Sequence, residues 1–211
     1  MPPLLPISTA APAPEAIARI RATLDRGGVV ALPTDTIYGL AASARDAAAV
    51  ARVFALKGRD FSKPLPIVVR DLEQAAEIAA ELPGCFGEMT AAFWPGPLTL
   101  IVRAGALLPE QLTAGTGNVA MRQPDLPFLQ KLLEACAYPL TATSANRSGA
   151  PECRTVAEVA AQFGDTAELE LIVDGGLSPR AQPSTIVDLT APTPRLVRAG
   201  AIPAPALARF L

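Results

Sequence analysis

The 211-residue sequence contains no histidine. That absence excludes Ser-His-Asp and Cys-His nucleophiles and removes the commonest general base at neutral pH. An enzyme built from this sequence is expected to work by positioning and electrostatics, or to use Lys, Asp or Glu. Cysteine is scarce too: Cys85, Cys136 and Cys153 stand far apart with no C-x-x-C pair. Without histidine, the usual zinc site has too few ligands. Met1 to Pro14 carries five prolines and no basic n-region, so it does not read as a signal peptide. An odd number of thiols without a leader predicts reduced cysteines and a cytoplasmic protein.

Aromatics make up 5% of the residues and charged side chains 18%, with a formal net charge of −2. No global positive field attracts nucleic acid, so any RNA contact has to be local. Long apolar runs are missing as well. The charge-free stretch Met89 to Val102 spans 14 residues and is broken by Pro95, Gly96 and Pro97. That is too short and too interrupted to cross a bilayer.

What is present is a chain that is half apolar, which excludes intrinsic disorder. At this length roughly 70% of the unfolded surface can be buried, so no disulfide or metal staple is needed. Pro14 and Glu15 open a helix with Ile17, Ile20 and Leu24 on one face, stopped by Gly27 and Gly28. Val29 to Leu32 reads as a buried strand ended by Pro33. A helix follows from Asp46 as N-cap. Leu65 to Val69 is a strand, and Asp71 with Gln74 forms a capping box for a helix through Leu82. Further strands are expected at Leu98 to Val102, Val119 to Met121, Leu140 to Thr143, Leu171 to Val173, Thr185 to Leu189 and Leu196 to Arg198. Helices are expected around Pro127 to Ala137 and Val156 to Phe163.

This alternation predicts an α/β fold with a mixed sheet and flanking helices. No linker or repeat divides the chain, so residues 1–211 read as one domain with a core at about 14–202. The Ala/Pro-rich tail from Pro203 reads as a surface strap or frayed end.

Several polar groups interrupt this apolar pattern. Pro33-Thr34-Asp35-Thr36-Ile37-Tyr38-Gly39-Leu40 follows a strand directly. It reads either as a Pro-initiated turn or as a ligand loop at a strand end. Lys57, Arg59 and Lys63 gather at a helix C-terminus. The helix dipole accounts for one such cation at about 0.3–1 kcal/mol; three suggest a clamp for a polyphosphate. No G-x-x-x-x-G-K-[ST] loop occurs. Ser144 and Asn146 lie in a tight Ser/Asn/Gly run, a pattern that is by itself mostly an ordinary turn. Arg122 and Arg198 end apolar strands, and Ser184 precedes one. Strand-end arginines usually reach into solvent; several converging on one face would make an anion site.

These segments occur in a fixed order. Pro33 to Leu40, Lys57-Gly58-Arg59, Phe93 to Thr99, Val119 to Arg122, Ser144 to Gly149 and Ser184 to Asp188 together resemble the YrdC-type L-threonylcarbamoyladenylate synthases. The resemblance covers roughly residues 14 to 202. It implies a twisted mixed sheet around a basic concave cavity. It also implies synthesis of L-threonylcarbamoyladenylate from L-threonine, bicarbonate or CO2, and ATP, with release of pyrophosphate, as the first step of tRNA threonylcarbamoyladenosine modification.

By resemblance, Thr34, Arg122 and Ser184 bind threonine. Lys57, Arg59, Ser144, Asn146 and Arg198 bind ATP, with Lys57 and Arg59 as the catalytic cations. Mg²⁺ accompanies the ATP, with no metal ligands assigned to the protein. The partners implied are tRNA and the proteins that transfer the threonylcarbamoyl group; no membrane is implied. The sequence departs from the family at Asp60, where proline often follows the arginine, and at Val68, where many members carry histidine. Two alternatives stay open: a non-catalytic RNA-binding or ribosome-maturation module of the same fold, or a paralogue that adenylates a different acid.

Overall fold

The computed structural model describes residues 1–179 and 182–211. The chain begins with β1 (Leu4–Pro6), α1 (Pro14–Asp25), β2 (Val29–Leu32), β3 (Gly39–Ala41), α2 (Ala47–Lys57) and β4 (Ile67–Val68). It continues through α3 (Leu72–Ile78), α4 (Gly84–Phe93), β5 (Leu98–Arg103), α5 (Glu110–Thr113), β6 (Asn118–Arg122) and α6 (Pro127–Cys136). It ends with β7 (Leu140–Thr141), β8 (Thr143–Ser144), α7 (Val156–Phe163), β9 (Leu169–Asp174), β10 (Thr185–Asp188), β11 (Arg195–Arg198) and α8 (Ala204–Leu207).

The strands form two mixed sheets. One has the order β1-β9-β2-β3-β8, and the other β11-β10-β5-β6-β4-β7. In the first, β9 runs parallel to both β1 and β2, while β3 lies antiparallel to β2 and β8. In the second, β5 is parallel to β10 and antiparallel to β6, and β4 is parallel to β6.

Strand β2 shows why a continuous apolar run was needed there. Val29 and Ala31 belong to a large core cluster that also takes Leu98, Leu100, Met121 and Val187 from the second sheet. Val30 and Leu32 point the other way, into a cluster with Ile20 and Leu24 of α1 and Phe128, Leu132 and Leu133 of α6. Both faces are buried, so no alternation with polar residues is tolerated.

Helix α2 forms as the sequence predicts. The Asp46 side chain accepts hydrogen bonds from the Ala48 and Ala49 amides, two of the four donors a helix start leaves unpaired. At the other end Gly58 adopts φ +57°, a left-handed conformation that glycine takes without a Cβ penalty. The turn lets the Arg59 amide reach Phe54 O at 3.1 Å.

The differences from expectation have local causes. The strand expected over Leu65 to Val69 is reduced to Ile67–Val68, although Leu65 and Val69 are still fully buried. Helix α3 ends at Ile78, not Leu82, because Ala79 bridges to Ala104 and Ala80 N–H bonds Arg103 O. Asp71 accepts from the Gln74 amide, but the Gln74 side chain turns back to the Arg70 amide instead of closing a capping box. The strand expected over Leu140 to Thr143 breaks at Ala142: β7 pairs with β4 in the second sheet and β8 with β3 in the first. The tail from Pro203 is not frayed. It forms α8, and Leu207 and Phe210 join the main core, where Phe210 meets Phe93 edge-on.

Candidate active site

The loop from Pro33 to Tyr38 joins β2 to β3 and is locked by its own side chains. Thr34 Oγ1 donates to Ile37 O (2.8 Å) and accepts from the Thr36 amide (3.0 Å). The Tyr38 amide donates to Cys153 O, and its hydroxyl donates to Gly176 O at 2.8 Å. Burial pushes the Tyr38 phenol up to about 12. The loop is a rigid ledge at a sheet end.

Above it lies a cavity of about 390 Å³. Six of the residues singled out from sequence converge on it: Thr34, Arg59, Arg122, Ser144, Ser184 and Arg198. Lys57 and Asn146 do not line it. They line an adjoining cavity of about 360 Å³, whose wall shares Arg59 and Ser144 with the first.

The cations are held differently. Lys57 is 3% exposed, and its Nζ donates to Ser144 O (2.5 Å), Asn146 O (2.7 Å) and Asn146 Oδ1 (3.1 Å). All three ammonium donors are therefore committed to the 144–146 loop. Burial, reinforced by the nearby Arg59 charge, pulls the Lys57 pKa down to about 8. Ser144 Oγ donates to the same Asn146 Oδ1, and Asn146 Nδ2 donates to Ala150 O. The spacing of Lys57 at a helix end and Ser144 with Asn146 in a distant loop thus resolves into one network.

Arg59 anchors its own loop, donating through Nε to Lys63 O and through Nη2 to Pro64 O. Burial lowers its pKa, but a guanidinium stays charged at neutral pH. Arg198 donates through Nε and Nη2 to Ser184 O, and Ser184 Oγ pairs with Thr99 Oγ1 at 2.7 Å. Arg122 does not reach into solvent. It is 6% exposed, and its Nη1 donates to Asp35 Oδ1 at 2.5 Å.

The Sua5/YciO/YrdC family model, described as "Telomere recombination", matches residues 22–200. The chain belongs to this family. It is 40% identical over 177 residues to a threonylcarbamoyl-AMP synthase of Pyrococcus abyssi, covering 84% of this chain and 52% of that protein. It is 38% identical over 188 residues to the Bacillus subtilis threonylcarbamoyl-AMP synthase, covering 88% of this chain and 54% of that one. The crystal structure of P. abyssi Sua5 complexed with L-threonine superposes with a TM-score of 0.93 at 35% identity, over 99% of this chain and 60% of that one. The chain thus spans about half the length of these two curated relatives.

The two departures from the Sua5/YciO/YrdC pattern sit in unlike places. Val68 is buried in β4 among the α1 and α6 side chains and lines neither cavity. Asp60 lines the second cavity and accepts from the Ser62 amide at 2.8 Å, turning the 59–63 loop. Sequence reasoning passed over Glu152, which lines the first cavity, and gave no role to Thr99, which closes the Phe93–Thr99 motif and is the hydroxyl partner of Ser184. Nothing in its local pattern sets Glu152 apart from a turn carboxylate. Among the described residues no three His, Cys, Asp or Glu side chains cluster as metal ligands. No described helix is long and apolar enough to cross a membrane.

Proposed function

We propose that the chain synthesises L-threonylcarbamoyladenylate. Threonine and bicarbonate, or CO2, supply a carbamate; its oxygen attacks the α-phosphorus of ATP, and pyrophosphate leaves. The observation that carries this reading is the convergence of Arg59, Arg122 and Arg198 with three hydroxyls, Thr34, Ser144 and Ser184, on one cavity. Both reactants are anions, so the protein's task is to neutralise charge and align the attacking and leaving groups. No histidine is required for that.

Arg122 presents a planar fork suited to the threonine carboxylate, with Thr34 and Ser184 beside it. Arg59, Ser144 and Arg198 face the nucleotide, with Arg198 held against Ser184. Lys57 acts on the phosphates through the Ser144–Asn146 loop that its ammonium holds. Mg²⁺ would enter with ATP and would offset the charge of its phosphates. The synthase names of the P. abyssi and B. subtilis relatives, and the threonine complex of P. abyssi Sua5, support the same substrates. The product would pass its threonylcarbamoyl group to tRNA through transfer proteins, in the cytoplasm.

The test is pyrophosphate release by the purified protein with each substrate omitted in turn. Turnover should require ATP, L-threonine and bicarbonate together. Unchanged turnover without threonine points to a different acid, and no turnover with all three points to a binding module; either result ends the synthase reading.

A further inference from the structure

Asp35 belongs to the ledge loop of the first sheet and Arg122 to the end of β6 in the second, so their ion pair joins the two sheets beside the cavity. Both are buried, Asp35 at 2% exposure. The pairing is one-armed: Asp35 Oδ2 is buried with no hydrogen-bond partner, and among the described residues the Arg122 guanidinium makes no other hydrogen bond. Arg122 lines the cavity; Asp35 does not.

A buried carboxylate oxygen without a partner is costly, and such exceptions call for a reason beyond packing. Asp35 cannot touch a ligand in the cavity, because its free oxygen is closed off from it. What it can do is hold one arm of the guanidinium, so that the remaining N–H groups present a fixed plane to the cavity. Bidentate recognition of a carboxylate depends on that plane.

We propose that Asp35 is a positioning residue that sets the orientation of Arg122 for the carboxylate of the acid substrate. This rests on the role given to Arg122 above. Free arginine side chains sample many rotamers, and the loop bearing Asp35 is pinned by Thr34 and Tyr38. The restraint therefore comes from rigid backbone on both sides of the pair.

The experiment compares KM for threonine and for ATP in the wild type, Asp35→Asn, Arg122→Lys and the double variant, with melting curves for each. Asp35→Asn is isosteric and can still accept one hydrogen bond, but it lacks the charge that fixes the fork. Threonine KM should rise by roughly 10- to 100-fold, by analogy with the outer partners that orient metal-ligating side chains. ATP KM should stay within about twofold. The double variant should be no worse for threonine than Arg122→Lys alone, since both substitutions remove the same fixed fork. Equal increases in both KM values, or single effects that multiply in the double variant, would overturn the proposal.

If Arg122→Lys leaves threonine KM unchanged, the carboxylate role of Arg122 fails, and the hold itself is judged by nitrogen NMR of the guanidinium. Slow rotation of the Arg122 Nη groups in the wild type, lost in Asp35→Asn, upholds it. Free rotation in the wild type refutes it.

Discussion

Lys57→Met removes the ammonium while keeping an unbranched stem, and the structure allows its two consequences to be separated. Of the three oxygens that Nζ touches, Ser144 O still accepts from the Asn146 amide and Asn146 Oδ1 still accepts from Ser144 Oγ. Only Asn146 O loses its one hydrogen-bond partner, and a buried orphan carbonyl costs about 1–3 kcal/mol. Against this, a lysine whose pKa falls from 10.5 to about 8 carries a burial penalty of about 3 kcal/mol at neutral pH, at 1.36 kcal/mol per pH unit. That penalty vanishes with the charge. The two effects are of similar size, so the fold should gain or lose no more than about 2 kcal/mol.

Catalysis has no such offset. On the function proposed above, the 144–146 loop loses the tie that positions it for the phosphates. Lys57 acts through that loop, so the loss of a direct transition-state donor, about 2.7–4 kcal/mol or 10²- to 10³-fold in kcat, sets the upper end of the expected effect. Urea melts and pyrophosphate release measured against ATP give both numbers. A kcat within about threefold of wild type on an intact fold would refute the reasoning. So would a collapse of stability large enough to explain the lost activity.

Other expectations follow from the same geometry. As pH rises through about 8, Lys57 loses its charge and keeps two donors for three acceptors. kcat/KM for ATP should therefore fall about tenfold per unit above that pH, and the fall should vanish in Lys57→Met. The unfolded lysine holds its proton to about 10.5, so between these values this residue's contribution to stability rises with pH, and a melt should show no matching loss. In Gly200→Ala the new Cβ would lie 2.5 Å from Pro183 O and 2.6 Å from Ser184 O. The backbone must shift, at about 1–3 kcal/mol, and with it the carbonyl that Arg198 holds; a lower Tm together with weakened catalysis is the expected pair of readouts. Leu207→Ala empties a fully buried position of α8 and should cost about 2–5 kcal/mol in calorimetry. Kinetic constants at 25 °C should be unaffected, and an unchanged Tm would mean that the tail is frayed after all.

Where the chain punctuates itself, its elements were readable. Gly27-Gly28 and Pro33 bracket β2, and Asp46 and Gly58 bracket α2, with boundaries that match the structure. Helix α4 stayed hidden because Gly84 and Gly87 dilute its apolar pattern, and β3 because Gly39–Ala41 reads as the end of a polar loop. The break at Ala142 was out of reach: a run of small residues says nothing about which of two sheets each end will join.

The site divided in the same way. Ordered motifs located the residues around the cavities, since each motif is a short local signal. The direction of each hydrogen bond was not legible. Lys57 at a helix end resembles a phosphate cation; that it faces a loop 87 residues away is a tertiary fact. Asp35 was visible as a carboxylate between two threonines, but its partner lies equally far off, at the end of another strand.

The crossing at Ala142 also ties the two sheets to each other. Thr141 is bonded into one sheet and Thr143 into the other, with a single residue between them. Successive Cα atoms are 3.8 Å apart, so this stretch is a covalent weld with no slack. Hydrogen bonds reinforce the link: the Thr141 amide donates to Ala42 O and its hydroxyl to Leu40 O, so Thr141 holds the β3 segment of the first sheet as well as β4 of the second. The cavity that both sheets line therefore has a wall, at Thr143 and Ser144, that begins one residue away from the other sheet.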